Sequence, residues 1–130
     1  MNIRVMEAKD YDGVKCLWMT IKGFGIRSLD DSREGVERFL KRNPTTSVVA
    51  EEDGKIVGAI LCGHDGRRGC LYHVCMEALK KEQINKVSLI AFTQNDIGNA
   101  FWKQIGWTKR EDLNYYDFTL NEKNITAFNQ

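Results

Sequence analysis

Residues 95–107 constrain this chain more than any other stretch. They read Asn-Asp-Ile-Gly-Asn-Ala-Phe-Trp-Lys-Gln-Ile-Gly-Trp, one short helix with both ends marked. Asn95 or Asp96 can cap the start, because a short side-chain oxygen reaches the unpaired N–H groups of the first turn. Ile97, Phe101 and Ile105 recur at i, i+4 and i+8 and make an apolar stripe, which predicts a helix packed on a sheet. Gly106 stands where a left-handed residue ends a helix, and Trp107 opens the next strand.

At 130 residues the chain predicts a single domain spanning 1–130 with a real core. The formal net charge of +1 provides no field for nucleic acid or a membrane surface, and no apolar run nears the roughly 20 residues of a membrane span. Met1-Asn2-Ile3-Arg4 does not open a signal segment. Cys16, Cys62, Cys70 and Cys75 form no C-x-x-C pair and no metal-like spacing with His64 or His73. They read as reduced thiols of a cytoplasmic protein without a metal site. A Cys62–Cys70 bridge across a hairpin is the alternative.

In chain order, residues 3–6 predict a strand. Asp10 opens a helix with Tyr11, Val14, Leu17, Trp18 and Ile21 on one face. Gly23 and Gly25 break it. A second helix starts near Asp31 or Ser32, with Glu34 as a capping-box partner of Asp31. It carries Val36, Phe39 and Leu40 on one face and ends at Asn43-Pro44. Residues 47–52 and 55–62 read as a hairpin about Asp53-Gly54. Residues 63–69 form a glycine-rich turn, 70–75 a strand, and 76–82 a short helix. The apolar run 87–92 predicts a strand buried on both faces. After the helix of 95–107, residues 108–113 and 115–120 predict a last pair of strands. The expected class is α/β (α+β), with an antiparallel N-terminal half, parallel strands after it, and flanking helices.

The Asn at a strand end, the helix with Ala100, Phe101 and Trp102, and the Gly106-Trp107 pair together resemble the C-terminal signature of the GCN5-related N-acetyltransferases (GNAT). The element order is similar to that fold along nearly the whole chain. The turn Asp65-Gly66-Arg67-Arg68-Gly69 also looks like that of small bacterial members. The resemblance implies transfer of an acetyl group from acetyl-CoA to a primary amine, borne by a small molecule or by a protein N-terminus or lysine. A homodimer is compatible with it. The rival it leaves open is a GNAT-shaped binding or regulatory domain without catalysis. A nucleotide-binding module is the weaker reading, since no G-x-G-x-x-G or Walker-type loop is present.

The family's Arg/Gln-x-x-Gly-x-Gly/Ala loop, whose N–H groups hold the coenzyme A pyrophosphate at a helix N-terminus, has no counterpart here. Cys75 runs directly into Met76-Glu77-Ala78-Leu79, which resemble the last turns of that helix. Against the family pattern roughly 15–20 residues, a loop plus several helical turns at about 1.5 Å per residue, are missing at the 75/76 junction. A segment lost from this sequence is favoured over a true deletion.

The resemblance also assigns roles. Val74 and Cys75 fall at the strand end whose backbone pairs with pantetheine and polarises the thioester carbonyl; the alternative is an ordinary ladder strand. Asn95 is a pantetheine contact or a plain cap, and Asn99 faces the same groove or solvent. Trp102 stands where many members place a Tyr that protonates the departing thiolate. Indole lacks that acidity, so Trp102 is left to pack on the cofactor arm. Tyr116, or Tyr115, serves as the acid if the last hairpin folds over the site. His73 titrates near neutrality and is the leading base, on the strand face opposite Tyr72 and Val74; Glu51, Glu52 and a nucleophilic Cys75 are further candidates. The segment 20–27 lines the acceptor site or merely links two helices.

Overall fold

The computed structural model describes residues 1–72 and 86–130. Its strands are β1 (Asn2–Val5), β2 (Gly25–Arg27), β3 (Val48–Glu52), β4 (Lys55–Ile60), β5 (Cys62–His64), β6 (Gly69–Leu71), β7 (Val87–Leu89) and β8 (Thr126–Phe128). Its helices are α1 (Tyr11–Thr20), α2 (Arg33–Arg42) and α3 (Asp96–Gln104), with a 3-10 turn at Ala8–Asp10.

The 3.6-residue spacing in α1 buries Tyr11, Val14 and Trp18. The helix lies against β4 so closely that a Cβ on Gly13 would sit 2.7 Å from the Ile56 side chain. Ser32 caps α2, its hydroxyl accepting from Gly35 N–H. The expected capping box of Asp31 with Glu34 is not formed, because the Asp31 carboxylate instead accepts from Arg27 N–H at 2.6 Å. Met6, Val36, Leu40, Val49 and Leu61 complete the main core.

β1, β3 and β4 pair antiparallel. The β3–β4 turn uses left-handed backbone at both Asp53 (φ 49°) and Gly54 (φ 72°), the geometry that matches the twist of a tight hairpin. The expected return strand 55–62 bends at Leu61, so β4 ends and β5 begins one residue apart. β5 pairs antiparallel with β6, and β6 parallel with β7. The Thr46 hydroxyl donates to the Cys62 carbonyl, and Cys62 N–H donates to the Ser47 hydroxyl at 3.2 Å. These buried bonds tie β3 to β5 across the bend. Cys62 faces Leu71, and Gly63 faces Cys70. Cys62 and Cys70 therefore point to opposite faces and are not bridged to each other.

Three expectations are corrected. The run 87–92 is not buried on both faces: β7 is three residues long, Ser88 is exposed, and Ile90 is 64% exposed. Among the described residues β7 has a strand neighbour on one side only. Residues 108–120 form no strands and are exposed throughout. The segment 20–27 is no simple linker, since its end is β2, paired antiparallel with β8. The short helix expected at 76–82, the end of the 70–75 strand and the 75/76 junction lie outside the described residues.

An ion-pair cluster locks the N-terminus. Arg4 donates from Nη1 and Nη2 to the two Asp10 oxygens, 2.8 Å each, and from Nη2 to Glu51 at 2.9 Å. Asp10 is 7% exposed and also accepts from Glu7 N–H. The Arg4 guanidinium holds the Asp10 carboxyl below its ordinary range, against the opposing push of burial. A depressed carboxyl stabilises the fold fully above its unfolded pKa, about 3.9, and stops doing so as pH falls through the folded value. Charged hydrogen bonds of this kind contribute about 1.5–3 kcal/mol. Asp10→Ala should therefore lose about 2–3 kcal/mol in urea unfolding at neutral pH, and the gap to wild type should narrow as the pH falls below about 4. A pH-independent gap would refute the ionic origin.

Candidate functional site

The site is built where β7 leads into α3. The chain leaves β7, turns at residues 90–95 and enters α3 with Asn95 as its cap. Asn95 Oδ1 accepts from Gly98 N–H at 3.0 Å, and Asn95 N–H donates to the Phe92 carbonyl at 3.0 Å. The cap is tight: a Cβ on Gly98 would lie 2.5 Å from Asn95 Nδ2. Asn99 Nδ2 donates to the Phe92 carbonyl at 2.9 Å and the Asn95 carbonyl at 2.8 Å, closing the turn from inside. These bonds fix both amide orientations, since only nitrogen can donate to two carbonyls and only oxygen can accept from an N–H. Asn95 keeps its Nδ2 hydrogens, and Asn99 keeps its Oδ1, unengaged by any described residue. Each Asn thus leaves one end of its amide to other partners, two N–H groups at Asn95 and a carbonyl oxygen at Asn99.

α3 ends as its sequence predicts, with Gly106 left-handed at φ 92°. Trp102 is wedged between Phe101 and Trp107, with ring centroids 5.1 Å from each. Trp107 in turn packs on the Cys62–Leu71 cluster together with Val87 and Leu89. The stripe of Ile97, Phe101 and Ile105 is exposed, Ile97 at 87%, which corrects the expectation that it packs on the sheet. The aromatic side of the helix, through Trp102 and Trp107, makes that contact instead.

The structure does not bring the remaining candidates together. Tyr116 is 85% exposed, and Tyr115 is exposed beside it. The hairpin that was to fold over the site is not formed. Glu51 is committed to Arg4, and Glu52 lies 4.0 Å from the N-terminal amine. His73, Val74 and Cys75 lie outside the described residues; β6 reaches them through Leu71 and Tyr72, whose N–H donates to the Leu61 carbonyl at 3.0 Å. Among the described residues no group of three or more His, Cys, Asp or Glu is arranged to hold a metal ion. No described helix is long and apolar enough to cross a membrane.

No family model matches the sequence. An acetyltransferase of Pectobacterium atrosepticum is 35% identical over 74 residues, 57% of this chain and 51% of that protein. The chain thus spans about half the length of the curated relatives it matches. The PaiA N-acetyltransferase of Thermoplasma acidophilum, solved with coenzyme A, superposes with a TM-score of 0.66 at 13% identity, covering 96% of this chain and 95% of that one. Ard1 of Thermoplasma volcanium gives 0.63 at 18% identity, covering 81% and 80%. AAC(6')-Iy, bound to a bisubstrate analogue, gives 0.63 at 14%, covering 91% and 97%. The chain has the GCN5-related N-acetyltransferase fold. Within that fold the parallel β6–β7 pair and the capped start of α3 are the described parts of the region that the sequence resemblance assigns to the cofactor.

The cap has a measurable weight. Asn95→Ala should lose about 1 kcal/mol, the usual cost of removing such a side chain, while Asn95→Asp, which keeps the accepting oxygen, should stay near wild type. Equal losses in urea unfolding would show that the Oδ1 bond to Gly98 is not what holds α3.

Proposed function

We propose that this protein is an N-acetyltransferase that moves an acetyl group from acetyl-CoA to a primary amine. The observation that carries the reading is the start of α3, where Asn95 Nδ2 and Asn99 Oδ1 are left unengaged by described residues, in a chain of this fold that is related to named acetyltransferases. Acetyl-CoA would lie with its pantetheine arm against Asn95, Asn99 and the backbone of Val74 and Cys75, with Trp102 packing behind. The neutral amine nitrogen would bond to the thioester carbonyl carbon, the C–S bond would break, and the amine proton would pass to His73 or solvent. A lysine-like amine has a pKa of about 10.4, so this proton removal is the demanding step. The thiol, at about 8.5, leaves tolerably as thiolate without an acid, which suits Trp102 in the tyrosine's usual place. Tyr116 would act as acid only after residues 108–120 close over the site.

The acceptor is proposed as an amine on a small molecule or on a protein N-terminus or lysine, in a cytoplasmic protein, with a homodimer as an open possibility. The named aminoglycoside-type neighbour, bound to a coenzyme A–neamine analogue, supports an amine acceptor. A second reading is a non-catalytic GNAT-fold binding domain. It is favoured by the absence of the Arg/Gln-x-x-Gly-x-Gly/Ala loop from the sequence. Should the missing segment exist natively, the first reading gains its phosphate site.

Acetyl-CoA at 100 times its dissociation constant should stabilise the protein by about 2.7 kcal/mol, and an amine panel should reveal acetyl transfer. Asn95→Asp should fold normally yet lose most of that ligand stabilisation. Stabilisation without transfer to any amine would select the binding domain; neither effect would remove the acetyl-CoA reading altogether.

A further inference from the structure

An open cleft lies on the face of β5–β6–β7 opposite Trp107, under the C-terminal turn of α2. Its volume is about 430 Å³, within the usual range for small-molecule sites. Strand register sets its floor: Gly63 faces Cys70, and Cys70 faces Ser88, so one row crosses three strands on this side. Gly63 lets the Phe39 ring and Asn43 settle close over the strand, since a Cβ there would lie 3.1 Å from both. Phe39 and Tyr72 meet edge to face at 5.6 Å and form an apolar wall.

The polar groups of this cleft divide unequally. Two side-chain acceptors are already engaged. Asn43 Oδ1 accepts from His64 N–H at 3.1 Å, and Asp65 Oδ1 accepts from the N–H groups of Arg67 and Arg68 at 2.8 and 2.9 Å. The Arg68 and Arg67 amides hold the Asp65 carboxyl below its ordinary range, so it stays charged and committed to the turn. His64 Nδ1 accepts from Gly66 N–H at 3.1 Å, which leaves the proton on the other ring nitrogen as a donor. Arg42 and Arg68 line the cleft, and neither forms an ion pair with a described residue. Among the described lining residues two guanidinium charges, beside an aromatic wall, outweigh one carboxylate.

We propose that this cleft binds a small organic anion with a flat apolar body, an aromatic carboxylate being the simplest case. The carboxylate would take the guanidinium and imidazole N–H groups, and the ring would lie against Phe39 and Tyr72. Arg42 has a plainer use at the negative end of α2, but that does not account for Arg68, His64 and an aromatic wall meeting there. The inference does not depend on acetyl transfer, and its test contains no acetyl-CoA.

The test is a titration of the whole chain with benzoate, followed through the amide 15N–1H signals of Gly63, Gly69 and Cys70. Inorganic phosphate (charge without ring) and benzyl alcohol (ring without charge) are run in parallel. Benzoate should produce saturable shifts with a dissociation constant of about 1 mM or tighter, weakening as ionic strength rises. Phosphate and benzyl alcohol should each bind more weakly. The double substitution Arg42→Gln with Arg68→Gln alters exposed side chains and should keep the fold while weakening benzoate about tenfold or more. Phe39→Leu should weaken benzoate but not phosphate. No saturable benzoate shift, equal shifts from benzyl alcohol, or undiminished benzoate affinity in the folded double variant would overturn the proposal.

Discussion

Two buried hydroxyls carry more of this architecture than their size suggests. Thr46 and Ser47 are at most 1% exposed, and each bonds the backbone of Cys62, one to its carbonyl and one to its amide. Cys62 sits just past the bend at Leu61, where β4 hands over to β5. A buried backbone group left unpaired costs about 1–3 kcal/mol, and both groups of one residue are at risk there. By satisfying them from the two residues just before β3, the chain passes from β4 to β5 without leaving those groups unpaired. The cleft under α2, lined by Gly63, sits beside that joint.

The legible parts of the sequence were those governed by local rules. Tyr11, Val14 and Trp18 reveal α1 because burial follows the helical period. Asp53-Gly54 and Gly106 reveal their turns because few residues accept left-handed backbone. The mixed sheet was readable from the order of strands and turns. The β2–β8 pair was not. Each strand has three residues, too few to show a period, and their register is held by bonds such as Leu29 N–H to Asn124 Oδ1 across 95 positions. The failure at 87–92 has another cause. An apolar run reports what a strand would bury, not whether a neighbour exists to bury it.

At the site, sequence reasoning set two roles for Asn95 against each other, helix cap and ligand contact. A primary amide has separate donor and acceptor ends, and the structure uses only one end of each Asn. The cap consumes oxygen at Asn95, while the turn consumes nitrogen at Asn99. Structural duty therefore orients the free ends rather than excluding them. No spacing rule in the sequence shows this, because it depends on which carbonyls the turn at Phe92 exposes. The cleft under α2 was equally hidden: Arg42, His64 and Arg68 carry no motif, and only strand register and the missing side chain of Gly63 join them to Phe39 and Tyr72.

The C-terminus closes on the N-terminal half through a dense set of polar bonds. Asn129 Nδ2 donates to the Trp18 and Ile21 carbonyls, the Ser28 hydroxyl donates to the Lys123 carbonyl, and Phe128 meets Phe92 edge to face at 4.8 Å. The end of α1 and the whole of β2 therefore wait for partners roughly a hundred positions downstream. Synthesis runs from the N-terminus, so α1 and β2 are made well before those partners. Until β8 follows, the core can assemble around Trp18 and Val49, but β2 has no strand to pair with. Closing β2 is thus a late, long-range step of folding, set by chain length rather than by local preference.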